Sequence, residues 1–428
     1  MRAVRVGLIG LGTVGSGVVE ILGHHRADFV TRAGVDIELT RFADRSEARF
    51  ADLGLPPEAC TTNAADILED PDVDIVIELI GGTGVARDVV LGALAAGKSV
   101  VTANKALMAS HGREVMDAAD SRGVDIMFEA AVGGGIPIIG PLKHSLVSNE
   151  ITAVYGIVNG TTNYMLTRMA EDGLSYDVAL AEAQERGFAE ADPTADVDGL
   201  DAAAKIAILS SIAFNSRVTF AQVPVEGIRS LAPEDIAYAT EMGYTIKLMA
   251  IARRVNGGID VRVHPTMIRE GHPLAKVSGV YNAIYVVGDS VGETMFFGEG
   301  AGSLPAASAV VGDVIEVARH IDSGCLALVG CTCHEELAVR DMGELVTEYY
   351  TRLLVADEPG VLAAVASVFG NHGVSIASVI QKRTTDVGAE IVYVTHRASE
   401  RDFRAAMTEI AALDVVESVG SVVRVEEL

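Results

Sequence analysis

Five carboxylates and one lysine crowd into residues 187–205, which read GFAEADPTADVDGLDAAAK. Glu190, Asp192, Asp196, Asp198 and Asp201 come first, Lys205 follows, and the chain then turns strongly apolar as IAILSSIAF. A run of acids is ordinarily a solvated surface. Here it enters a segment, 200–214, that reads as a buried helix, with Asp201 and Lys205 four apart on one face. A buried lysine needs a partner, and desolvation draws its pKa down towards a useful range. Lys205 therefore has either a structural salt bridge to Asp201 or a chemical task, that of a poised proton donor.

The elements ahead of this stretch say what it would serve. Residues 4–9, VRVGLI, read as a buried strand, which opens into Gly10-Leu11-Gly12-Thr13-Val14-Gly15 and an apolar helix. This is the G-x-G-x-x-G fingerprint between a strand and a helix. Gly10 permits the tight turn, Gly12 lets the backbone approach a pyrophosphate, and Gly15 allows close packing. Thr13 and Val14 complete a loop whose helix N-terminus faces the anion. The next strand, 37–43, ends in Asp44-Arg45-Ser46. The acid suits a ribose 2′-hydroxyl and Arg45 a 2′-phosphate or the adenine face, so NAD and NADP stay open.

Alternation continues with strands expected at 72–80, 98–104 and 124–130 and helices at 84–97 and 106–123, a doubly wound parallel sheet of Rossmann type. Lys105 follows the strand ending VVTAN, at the sheet's carboxyl edge where ligands bind. Glu129 runs into AAVGGGIPIIG, which is either a plain crossover turn or a set of carbonyls and one carboxylate for a hard cation. A strand at 151–158 closes on the polar turn Asn159-Gly160-Thr161-Thr162-Asn163, ahead of a helix and then a second one at 175–187. Short strands are expected at 244–256, 259–268 and 281–287. The second glycine-rich loop, 298–302, opens a long helix and serves either as a connector or as a return to the cofactor.

From residue 349 the order β-α-β-β-α-β gives a ferredoxin-like module suited to ligand sensing or assembly. ADEPGVLA and NHGVSI resemble turns of the ACT regulatory domain. The expected division is 1–130, completed by a helix within 303–322, then an α+β catalytic and dimerisation domain at 131–330, then the ACT module at 345–428.

A net charge of −26 argues against nucleic acid or an anionic membrane as partner. No signal peptide or membrane span is expected, and a cytoplasmic, reducing compartment follows. Four cysteines are too few for a disulfide framework, and Cys331 and Cys333 lie too close for a usual structural zinc pair.

With these residues placed, the chain resembles the ACT-containing bacterial homoserine dehydrogenases nearly end to end. The match rests on GLIGLGTVGSGV, VVTANKALMA, FEAAVGGGIPII, GIVNGTTNYMLTRM and, most specifically, AEADPTADVDGLDAAAK. The resemblance implies reversible NAD- or NADP-dependent interconversion of L-aspartate 4-semialdehyde and L-homoserine, on the route to threonine, methionine and isoleucine. It implies that Lys205 donates the proton, that Lys105 faces nicotinamide and substrate, and that Glu190, Asp196 and Asp201 hold the substrate. Gly187, Glu190 and Gly302 would touch the cofactor, and Glu129, Val132, Gly134 and Ile136 would hold sodium. A homodimer or tetramer and a threonine effector at the ACT module are further implications. Phe188, where many relatives carry tyrosine, and Thr83-Gly84, where Glu-Pro is common, bear on fine substrate positioning.

The chemistry fits the residues independently. Hydride addition to an aldehyde leaves negative charge on oxygen, which a lysine ammonium stabilises and then protonates. The surrounding carboxylates suit an α-ammonium group. Two rivals remain. One is a dinucleotide-binding, amino-acid-sensing regulator without catalysis. The other is a phosphorylating semialdehyde dehydrogenase, which needs a thiol nucleophile near the nicotinamide; Cys60 is the one cysteine in that half.

Overall fold

Short, β-branched strands that alternate with helices stack in parallel, because each crossover helix must cover a face of the sheet. The computed structural model, which describes residues 3–328, 330–385 and 388–428, contains such a sheet. Its strands are β1 Ala3–Ile9, β2 Asp36–Ala43, β3 Cys60–Thr61, β4 Ile75–Glu78, β5 Ser99–Thr102 and β6 Ile126–Met127, in the order β3-β2-β1-β4-β5-β6. All pairings are parallel. The order reverses between β1 and β4, so the crevice beyond their carboxyl ends is the ligand site expected of a doubly wound sheet.

The strands are shorter than their apolar runs. The 72–80 run yields only β4, and the 124–130 run only two residues before a tight turn at Glu129–Ala131. The chain leaves the sheet early because the Glu129 N–H donates to Asp313 Oδ2 at 2.8 Å instead of to a strand.

Two compact units emerge. The first comprises Met1–Val154, Ala204–Gln222 and Asn282–Leu337. In it, helix Ser303–Ser323 lies against the fingerprint helix Thr13–Ala33. Val310, Val311 and Val314 of the former join Val18, Leu22 and Val6 in one core. Gly17 permits this approach, since a Cβ there would sit 2.8 Å from the Ser303 carbonyl.

The second unit comprises Tyr155–Ala203, Val223–Tyr281 and Ala338–Leu428. Strands Tyr244–Val255 and Gly258–Arg269 fall close to the bounds expected and form one antiparallel hairpin. Its turn is Asn256-Gly257, both at positive φ, the pair a type I′ turn demands. The C-terminal strands are Val346–Val355, Ile376–Thr385, Gly388–Thr395 and Val416–Glu426, with helices Val361–Asn371 and Glu400–Ile410 between them. The β-α-β-β-α-β order is as expected. Its last strand also pairs in parallel with Gly258–Arg269 through Arg424, Val425 and Glu426, so the module's sheet continues the hairpin. Strand Gly292–Glu299 was not anticipated; its residues alternate between exposed and half-buried, a weak apolar signal. Among the described residues no helix is long and apolar enough to cross a membrane.

Candidate active site

The fingerprint loop is built as its glycines require. Gly10 has φ +100, and a Cβ there would meet the Leu79 carbonyl at 2.7 Å. A Cβ on Gly15 would lie 2.1 Å from the Gly10 oxygen, whereas nothing stands within 4 Å of Gly12, leaving that backbone open to a ligand. Thr13 and Val14 start the helix. The Ser303 hydroxyl donates to the Thr13 carbonyl at 2.6 Å, which sets Gly302, at φ +129, beside the same helix N-terminus. The second glycine loop therefore returns to the first.

Asp44 ties the fingerprint loop to the second strand. Its Oδ2 accepts the Leu11 N–H at 2.7 Å and its Oδ1 the Ser46 N–H at 2.9 Å. The carboxylate is committed to holding the fingerprint loop to the end of β2, while Arg45 next to it is exposed.

Lys105 is the first residue of helix Lys105–Arg122, directly beyond the carboxyl end of β5. Two groups that sequence reasoning passed over position it. Asn104 caps the helix, its side-chain oxygen accepting from Leu107 N at 3.0 Å, and its amide donates to the Gly82 carbonyl at 2.7 Å. Glu78 is fully buried and accepts from Ile80 N, Gly81 N and the Thr102 hydroxyl at 2.7, 3.1 and 2.7 Å. Asn104 was legible as the residue before a helix; Glu78, inside an apolar run, gave no signal beyond being a carboxylate at a strand end.

Glu129 is held in the same way. Its carboxylate accepts from Ile138 N, Ile139 N and Gly140 N at 2.5–2.7 Å, capping helix Ile139–Lys143. Three main-chain donors at a helix start hold this carboxylate in place. The carbonyls of the loop are a separate matter. A Cβ on Gly134 would lie 2.5 Å from the Gly300 oxygen, so carbonyl-bearing loops meet here.

In the second unit the turn read at 159–163 is the first turn of helix Gly160–Asp172, with Asn159 as its cap. Asn159 Oδ1 accepts from Thr162 N at 2.9 Å, and its amide donates to Asp196 Oδ1 at 2.7 Å and Asp201 Oδ2 at 3.0 Å. Thr161 Oγ1 donates to the Phe188 carbonyl at 2.6 Å and lies 3.1 Å from Asp196 Oδ2. Two acids of the cluster are thus brought together by an amide whose sequence position gave it no role. Asp201 (6% exposed) and Lys205 (8% exposed) are one turn apart on helix Leu200–Ala213, buried as expected. Glu190 and Gly187 are exposed. Asp192 accepts from Thr194 N and Asp198 pairs with Arg229, so both are structural. Phe188 packs edge-on against Tyr164, ring centroids 5.0 Å apart.

Comparison with known proteins decides the family. A family model described as homoserine dehydrogenase matches residues 137–315, one described as homoserine dehydrogenase, NAD binding domain matches 10–129, and an ACT domain model matches 349–415. A homoserine dehydrogenase of Synechocystis is 49% identical, covering 99% of both chains, and that of Bacillus subtilis 43%, covering 100% of this chain and 99% of the other. The chain belongs to the homoserine dehydrogenase family. The crystal structure of a homoserine dehydrogenase from Thiobacillus denitrificans superposes with a TM-score of 0.94 at 43% identity, covering 100% and 99% of the two chains. A hyperthermophilic archaeal homoserine dehydrogenase in complex with NADPH covers 74% of this chain and 98% of its own, at 27% identity and TM-score 0.63.

As a homoserine dehydrogenase the chain is an oxidoreductase with a nicotinamide cofactor, a Rossmann-type sheet, a second mixed sheet and an ACT domain. The reading as a regulator without catalysis falls away. So does the thiol-dependent rival: Cys60 donates to the Pro56 carbonyl at 3.3 Å, and burial, aided by Glu58, pushes its thiol pKa up.

Proposed function

We propose that this homoserine dehydrogenase reduces L-aspartate 4-semialdehyde to L-homoserine, reversibly, with Lys205 delivering the proton. The observation that carries this reading is a lysine only 8% exposed on an apolar helix, one turn after a carboxylate only 6% exposed. A nicotinamide, when bound, supplies the hydride. The Lys205 ammonium then stabilises the charge that develops on the aldehyde oxygen and passes a proton to it, while Asp201 orients the lysine. Asp196 and Asp201, gathered by Asn159, take the substrate's ammonium and hydroxyl ends, with Glu190 closing from the acidic loop. Lys105, held by Asn104 and Glu78, sits on the nicotinamide side.

The cofactor lies along Gly10, Gly12, Thr13, Val14 and Gly15 with Gly302, and by family resemblance Gly187 and Glu190 would also contact it. Because both oxygens of Asp44 are taken, the exposed Arg45 is the group left for the adenosine end, and this favours NADP. By family resemblance a sodium ion would be held by one carboxylate and backbone carbonyls at Glu129, Val132, Gly134 and Ile136 and would brace that loop. The ACT module, 345–428, takes an amino acid, threonine by family resemblance, in a cytoplasmic homodimer or tetramer serving threonine, methionine and isoleucine synthesis. The preceding parts, 1–130 and 131–330, carry cofactor and catalysis.

Lys205→Ala tests the central assignment. Coenzyme binding by fluorescence should be unchanged while kcat falls about 10³-fold or more. Turnover within tenfold of the parent would sink it.

A further inference from the structure

Two thiols in the first unit stand outside the chemistry described so far. Cys331 and Cys333 form part of one wall of a cavity of about 450 Å³. The rest of its lining comes largely from helix Lys105–Arg122 (Met108, Met116) and helix Leu200–Ala213 (Ile208, Ile212). Both cysteines belong to the same wall, and the chain bends between them, His334 N donating to the Thr332 carbonyl at 2.9 Å.

Each cysteine is also tied to a different helix. Cys331 N reaches Asp120 Oδ2, at 3.5 Å, near the end of the helix that begins with Lys105. Cys333 Sγ donates to the Ser211 carbonyl at 3.5 Å, near the end of the helix that carries Lys205. Neighbouring bonds fasten the same strip, Glu335 N to the Asn215 carbonyl and Leu337 N to Ser216 Oγ, both at 2.8 Å. A Cys-Thr-Cys-His sequence invites a metal reading, but among the described residues no three His, Cys, Asp or Glu side chains are arranged to hold an ion.

We propose that Cys331 and Cys333 are a redox-modified dithiol, oxidised by low-molecular-weight disulfides to an intrachain disulfide that slows turnover. Burial, with help from Cys331, pushes the Cys333 thiol up to about 12, so Cys331 is the entering sulfur and Cys333 the resolving one. The Cys331 thiolate attacks the small disulfide, its S–S bond breaks, and one small thiol leaves. Cys333 then loses its proton and attacks the Cys331 sulfur of the mixed disulfide, expelling the second small thiol. Two electrons pass from the two cysteines to the small disulfide, and both protons end on the released thiols. A bridge across a single residue is strained and therefore readily reduced again. Making it draws Cys333 away from Ser211 and Cys331 away from Asp120, loosening the far ends of the two lysine-bearing helices together.

The test uses the full chain and glutathione disulfide as the probe. Peptide mass spectrometry should find a Cys331–Cys333 bond, with loss of two hydrogens. The kcat should fall roughly three- to thirtyfold, the scale of coupling through a packed element, and dithiothreitol should restore it. Cys333→Ser, which keeps a hydroxyl donor for Ser211, should match the parent before treatment and show no response after it; Cys325→Ser should respond like the parent. The proposal is overturned if the two cysteines stay reduced, if the bond forms without a change in kcat, or if Cys325→Ser abolishes the response.

Discussion

The second unit draws carboxylates together in two places and treats them in opposite ways. In the C-terminal module each buried acid meets a guanidinium. Arg424, 2% exposed, binds Glu400 at one end and Glu226 at the other, and Arg404 adds to both. Arg352 likewise joins Asp235 and Glu390, with Tyr350, Tyr238 and Ser421 supplying hydroxyls. Burial works against the Glu400 and Glu226 carboxylates, yet the bonds and charge of Arg424 and Arg404 hold both below the usual range. At the acidic stretch, by contrast, the donor that gathers Asp196 and Asp201 is the neutral amide of Asn159. A guanidinium cancels a buried charge and locks the packing; an amide orients a carboxylate and leaves its charge to act on something else. That difference separates charges that build the fold from those that, under the proposed function, would recognise an ammonium group.

Three measurements press on this contrast. The largest effect is expected at Arg424. Arg424→Ala leaves Glu226 and Glu400 with only the more exposed Arg404 between them, and should cost about 3–5 kcal/mol in urea unfolding. The KM for homoserine of the surviving folded protein should stay within about twofold. A matching rise in KM would mean that this cluster also serves the site.

Asp196→Asn should behave in the reverse sense. It keeps the shape and removes the charge, so kcat/KM should drop about 30- to 150-fold, the equivalent of about 2–3 kcal/mol. Its melting temperature should stay within a few degrees of the parent. Loss of stability without loss of kcat/KM would place Asp196 among the structural acids.

The smallest and most diagnostic effect concerns Lys247, a buried charge of a third kind. Its ammonium donates only to Asn163 Oδ1 at 3.0 Å and the Val277 carbonyl at 2.6 Å among its described hydrogen bonds. Burial lowers its pKa to about 8, from an ordinary value of 10.5. The folded state therefore disfavours the proton that the unfolded chain accepts. This penalty is fully present below pH 8 and is relieved as pH climbs towards 10.5. The stability of the parent relative to Lys247→Met should accordingly rise by about 1–3 kcal/mol between pH 7.5 and pH 10. A difference that does not change with pH would show Lys247 to be as well compensated as the arginine-bound acids.

Much of the site was legible in the residues because its parts are local. The G-x-G-x-x-G loop, Lys105 after VVTAN, and Asp201 and Lys205 four apart are all set by spacing along one strand or helix. The glycine loop at 298–302 was ambiguous until Ser303 was seen bonded to the Thr13 carbonyl, across 290 positions of sequence. Asp44 and Glu129 show what spacing cannot supply. Each was open to a ligand role by residue type, and each is also held by main-chain donors that spacing alone could not bring near. The ACT module was correct in its order of elements, but nothing in its own sequence announces that Val416–Glu426 would pair with Gly258–Arg269.

The linear chain, then, determined which residue types were present for chemistry and which lay one helical turn apart, since backbone geometry alone sets those distances. Only the tertiary structure decided which carboxylates keep their charge. That choice depends on whether a guanidinium, an amide or a helix N-terminus arrives from a distant segment, and burial makes the arriving donor decisive.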